Sequence, residues 1–159
     1  MAVGWIDKEA GFNKLLKNLQ ALEAKNIDVG FFDTVHECGI NVAQIAQWQE
    51  EEGVAPHIPA RPFIRVGFHS EVMSPRYKKA FNQLLDNVAS GVESPTVACN
   101  RIGKRLETVM TLAIDDGARY TPNEKTWADR KARETGSTTP LIYTGTMRNS
   151  VKYKITTRR

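Results

Sequence analysis

Apolar positions at helical spacing open the chain. Phe12, Leu15, Leu16, Leu19 and Leu22 share one face of a helix that Asp7 would cap and that runs to about Ala24, with Lys8, Lys14, Lys17 and Asn18 facing out. The period then shortens to two. Ile27, Val29 and Phe31 alternate with Asp28, Gly30 and Phe32, which predicts a short strand over about 26–33. Gly30 inside it points to a bulge or a close backbone approach. Thr34 to Ile40 reads as a loop with Gly39 at its end. Asn41-Val-Ala-Gln44 has the form of a capping box, with Asn in place of the usual Ser or Thr. The helix it opens carries Val42, Ile45, Ala46 and Trp48 and ends at Gly53.

The segment from His57 through Ile58-Pro-Ala-Arg-Pro-Phe-Ile-Arg65 breaks both periods. Prolines three apart fix φ and keep each preceding residue out of the helical region, so the segment is expected to be extended. Gly67 then breaks the chain. Ser74-Pro75 and Ser94-Pro95 are two helix starts, each with Ser as cap and Pro at the first helical position. The first helix buries Tyr77, Phe81, Leu84, Leu85 and Val88. The second runs to about Asp116, with Ala98, Ile102, Leu106, Val109, Met110 and Ala113 on one face.

Residues 119–140 are polar, basic and nearly free of aliphatic side chains. They read as a long mobile loop with at most a helical turn near Trp127; loops of this length are functional or disordered. A turn follows at 141–146, then a helical turn over Met147 to Ser150. Val151, Tyr153 and Ile155 alternate with Lys152, Lys154 and Thr156 as a half-buried last strand. The sum is one α+β domain, a small and mostly antiparallel sheet covered by helices.

Composition narrows the function classes. At 159 residues, 41% hydrophobic and 25% charged, the chain can bury an ordinary core. No apolar run approaches the roughly 20 residues of a membrane span. Residues 1–7 lack the basic and apolar regions of a signal peptide, so synthesis and use in a cytoplasm are expected. The net charge of +4 is uneven: residues 1–118 carry 12 Lys and Arg against 15 Asp and Glu, and residues 119–159 carry 10 against 3. A basic tail of this kind grips phosphates or forms the cationic side of a subunit contact.

Candidate chemistry is sparse. Phosphate-loop, nucleophile-elbow and zincin motifs are all missing. Cys38 and Cys99 lie far apart and read as idle or buried thiols. His36 is near Cys38 without further ligands at useful spacing. His57 and His69 flank the proline segment without an acid or nucleophile in sequence reach. Asp115-Asp116 would need more acids than Glu107 to hold a metal or act in catalysis. Trp127 and Tyr120 are two aromatics in a basic stretch, where single-stranded nucleic-acid binders use several. Neither catalysis nor a cofactor is expected.

Three motifs together carry a family resemblance: Val42-Ala-Gln-Ile-Ala46 with acids ending at Gly53, Ile58-Pro-Ala-Arg-Pro-Phe-Ile-Arg65, and Pro140-Leu-Ile-Tyr-Thr-Gly-Thr-Met-Arg-Asn-Ser150 before a final strand. In order and rough spacing over residues 25–155 the chain resembles the neck and tail-completion proteins of tailed bacteriophages, the family of phage virion morphogenesis or tail-component proteins that includes minor tail protein Z of lambda-like phages. It departs at Glu50-Glu-Glu-Gly53, where the family more often ends acid-aromatic-Gly, and at Tyr143, where a small or acidic residue is usual.

The resemblance implies a tail-terminator-like subunit of a virion, made in the host cytoplasm. It would form a ring with copies of itself, often a hexamer, that joins the tail tube to the connector below the portal. DNA would pass through the lumen without specific binding, and no membrane is involved. On this reading Arg61 and Arg65 stay exposed and pair with carboxylates such as Glu50, Glu51 and Glu52 of a neighbouring subunit. Phe63 either anchors that interface or tucks into its own core. Trp127, Arg130, Lys131 and Arg133 in the basic segment, with Arg158 and Arg159 at the C-terminus, would be arms that order on the adjacent ring. The rival readings are a basic nucleic-acid-binding protein and a transient assembly factor.

Overall fold

Local signals place most of the helices. A computed structural model describes residues 3–51 and 58–158, with side chains from residue 9 onward. Glu52, Gly53, His57 and Arg159 lie outside the described residues. The first helix, α1, is Val3–Glu23. It begins before Asp7, so Asp7 is an interior residue and not the cap. The strand β1 is Lys25–Phe31. An antiparallel bridge between Val35 and Asn41 closes the loop at Gly39, whose φ of 83° favours glycine. A Cβ on Gly30 would meet nothing within 4 Å, so no close approach explains that glycine.

Helix α2, Val42–Glu50, starts where Asn41 accepts a hydrogen bond from the Ala43 N–H. It ends three residues earlier than the glycine at 53. The proline segment is irregular from Ile58 to Pro62 and then winds into a π-helical turn, Phe63–Phe68, continued by α3, His69–Val72. The expectation of an extended segment therefore fails from Phe63 onward. Proline restricts the residue before it, but one at a helix start lacks only an N–H that would go unpaired there anyway. Gly67 does not break the chain. It is buried inside the turn, where an added Cβ would lie 2.4 Å from the Tyr120 hydroxyl and 2.8 Å from the Ala113 Cβ.

Both Ser-Pro starts are used. Helix α4, Pro75–Ala89, is capped by Ser74, and α5, Pro95–Asp115, has Val97 N–H donating to Ser94 Oγ. A 3-10 turn, Gly117–Arg119, follows. The segment expected as a loop over 119–140 holds an eleven-residue helix, α6, Lys125–Thr135. Glu124 caps its N-terminus, and Gly136 ends it at φ 73°. Helix α7 is Thr146–Asn149, and β2, Val151–Thr157, pairs with β1 in a two-stranded antiparallel sheet. The fold class is α+β.

The chain divides into two compact units. The first holds Met1–Asp28, Ser74–Arg105 and Tyr153–Arg159. In it α1 packs on α4, and Asn18 Nδ2 donates to the Val88 carbonyl at 3.1 Å. Leu15, Asn18 and Leu22 are half-buried, whereas Phe12, Leu16 and Leu19 stay 63%, 44% and 41% exposed. The contact face is thus rotated by one residue from the most apolar one, and Asn18 belongs to it. On α5, Gly103 makes room for the Tyr153 ring, 2.2 Å from where a Cβ would sit.

The second unit holds Val29–Met73 and Leu106–Lys152. Its core joins Val42, Ala46, Phe63, Met110, Ile114, Tyr120, Met147 and Val151. Phe63 is fully buried and meets Phe31 edge-on with ring centroids 6.2 Å apart. Among the described residues no helix is long and apolar enough to cross a membrane.

Candidate functional site

The proline segment is fixed by partners within its own unit. Glu50, the last residue of α2, accepts the backbone N–H of Ile64 at 2.8 Å and of Arg65 at 2.8 Å, one on each carboxylate oxygen. These N–H groups open the π-helical turn and would otherwise be unpaired. A carboxylate there also meets the positive end of the helical dipoles. Glu50 is therefore an internal cap for this segment, not a free acid awaiting a neighbour's arginine. Glu51 is exposed, with Gln47 Nε2 donating to it at 3.4 Å.

Arg61 departs furthest from its expected place on the surface. It is 5% exposed, not a surface cation. Its Nε donates to the Thr121 carbonyl at 2.8 Å and its Nη1 to Gln49 Oε1 at 2.8 Å. Nη2 reaches Asn123 Oδ1 at 3.1 Å and the Pro122 carbonyl at 3.4 Å. Every one of these acceptors is neutral, and burial pulls the Arg61 pKa down. Its backbone N–H also donates to the Gln49 carbonyl at 2.5 Å. The guanidinium thus ties α2 to the stretch before α6. Arg65, by contrast, is exposed.

The basic segment is similarly built in. Lys131 is 2% exposed, and its Nζ donates to the Thr139 carbonyl. Burial first, and then the nearby Arg61 cation, lowers its pKa. The half-buried Ala128 and Ala132, four residues apart, flank it on the inward side of α6. Outside, Arg130 pairs with Glu134 at 2.8 Å and lies 5.6 Å from the centre of the Trp127 ring. Trp127 and Tyr143 have centroids 5.5 Å apart, and the Tyr143 hydroxyl donates to Glu134. Arg133 is exposed, with Nε donating to the Asp129 carbonyl at 3.3 Å. Tyr120 is no stacking platform: it is 6% exposed and donates to the Ala113 carbonyl at 2.7 Å.

In the late turn, Leu141 at φ 65° and Gly145 at φ 80° reverse the chain into α7. Arg148 then grips Asp115 with two bonds, 2.6 and 2.7 Å. Asp116 pairs with Arg119 at 3.0 Å, so each member of the adjacent carboxylate pair has its own arginine. His36 Nδ1 accepts the Cys38 N–H at 3.2 Å and lies 3.1 Å from its sulfur. Cys99 is buried on α5. Among the described residues no three His, Cys, Asp or Glu side chains converge as a metal site would require. Arg158, in the other unit, is held by its backbone N–H on the Ala24 carbonyl at 2.8 Å and its side chain is exposed.

One pocket of about 160 Å³ brings Arg61 of the proline segment together with the late turn. Arg61, Gln49, Asn123, Trp127 and Lys131 line it together with the whole of Leu141–Met147. No family model, curated protein or solved structure matches the chain. Sequence reasoning placed Arg61 and Lys131 among the candidates but on the wrong side of the surface, whereas Trp127 is exposed. It missed Gln49 and Asn123, whose roles depend on a contact between segments 12 and 62 residues apart.

Proposed function

We propose that this chain is a structural subunit of the head–tail junction of a tailed bacteriophage, a neck or tail-completion protein that acts by assembly into a ring. One observation carries the reading beyond the sequence. Two of the three motifs behind the resemblance, at 58–65 and 140–150, share one core and one pocket. Phe63, Ile64, Leu141, Ile142 and Met147 pack in that core, and Arg61 faces the pocket beside Leu141–Met147. Their packing together gives the two motifs one structural role.

The exposed charges fit a contact role. Arg65, Arg133 and Glu51 sit on the surface of the second unit and offer both signs to a neighbour. Head-to-tail contacts of opposite charge close into a ring where the rotation permits. The internal ties of Glu50 and Arg61 hold the surface in place before docking, which lowers the ordering cost of association. Joined particles would contain this chain at a fixed copy number at the neck. Particles made without it would accumulate as separate heads and tails. Normally joined, infectious particles made without it would contradict the reading.

A further inference from the structure

The pocket of the second unit has an unusual electrostatic content. Arg61 and Lys131 both line it, and they are 5% and 2% exposed. Among the described residues no aspartate or glutamate lines it. Among the described residues all acceptors of the two cations are neutral: three backbone carbonyls and the side-chain oxygens of Gln49 and Asn123. Lys131 has three donors and one acceptor, Thr139, among the described residues. Two desolvated like charges without a counter-charge are costly. An anion entering the pocket would offset that cost.

We propose that this pocket is a socket for a single carboxylate carried by a protein segment, with Lys131 and Arg61 as its cationic floor. The walls and the rim select among anions. Ile45, Leu141, Ile142 and Met147 line the pocket and match an apolar body behind an acidic head. The pocket's 160 Å³ is smaller than the several hundred Å³ of a nucleotide or cofactor site. Glu134, paired to Arg130, is bonded to Tyr143, a lining residue, and Glu37 as well as that pair acts on the phenol, so two acids stand against one cation there. A nucleic-acid backbone would meet those acids at the rim, whereas one buried carboxylate would not. The socket rests on the assembly reading only for which protein carries the carboxylate.

The test uses the full chain, labelled with nitrogen-15, and follows the Trp127 indole N–H signal, assigned with Trp127→Phe. The probes are N-acetyl-leucine, N-acetyl-leucinamide and inorganic phosphate at one pH and ionic strength. The socket predicts a saturable shift with N-acetyl-leucine and binding weaker by about tenfold or more for the amide and for phosphate. Lys131→Gln should weaken the carboxylate by about tenfold as well. Equal binding of acid and amide would overturn the proposal, as would a response to phosphate alone or no saturable shift with any probe. The amide comparison stands on the wild-type chain even if Lys131→Gln does not fold. A ring-forming chain that ignores N-acetyl-leucine refutes the socket alone, and a chain that binds it but stays monomeric refutes the ring alone.

Discussion

Arg61 is where residue chemistry and exposure part company. Its guanidinium has four neutral acceptors from Gln49, Thr121, Pro122 and Asn123, so truncation leaves buried oxygens unpaired. Arg61→Ala should lower stability by about 1–3 kcal/mol, read as a shift of the urea midpoint. An unchanged midpoint would mean that the network is replaced by water. Lys131 gives a pH signature. Its folded pKa lies below the ordinary lysine value, so in alkali the unfolded chain keeps a proton that the folded chain has lost. Stability therefore rises with pH through the folded pKa and levels off at the unfolded value. Lys131→Met should remove that rise in denaturation curves taken between about pH 7 and about pH 10. The same slope in both proteins would contradict the assignment.

At the scale of elements, the turn at Phe63–Phe68 depends on two close approaches. Glu50 caps it from α2, and Glu50→Ala should cost about 1–2 kcal/mol, more than Glu51→Ala at its exposed neighbour. Gly67 lets the turn sit on Ala113 of α5 and on Tyr120, so Gly67→Ala should cost about 1–3 kcal/mol through overpacking. Thermal melts of the three variants check this order. A neutral Gly67→Ala would mean that Tyr120 swings aside freely. These elements also mark what the sequence made legible. Ser74, Ser94 and Asn41 capped helices where local chemistry said they would, because a cap needs only residues within three positions. The alternation of Val151, Tyr153 and Ile155 was readable for the same reason. The turn after Pro62 was not, because its capping carboxylate comes from 14 residues upstream. Helix α6 was hidden by its polar composition, and what holds it inward is a buried lysine rather than an apolar stripe.

For the whole molecule, the motifs were legible as a set but their side chains' directions were not. Sequence alone turned Arg61 and Glu50 outward toward a neighbour; the fold spends both within the second unit. Exposed candidates remain in Arg65, Glu51, Arg130 and Arg133, with Arg130 already paired to Glu134. The mutation that separates assembly from folding is thus Arg65→Glu rather than Arg61→Glu. The most direct test of the central claim is the mass of the purified chain in solution, by light scattering across a concentration series. A ring-forming subunit gives one closed oligomer of several subunits, reduced toward the monomer of 17.8 kDa by Arg65→Glu with the melting temperature unchanged. A strict monomer at every concentration would contradict it.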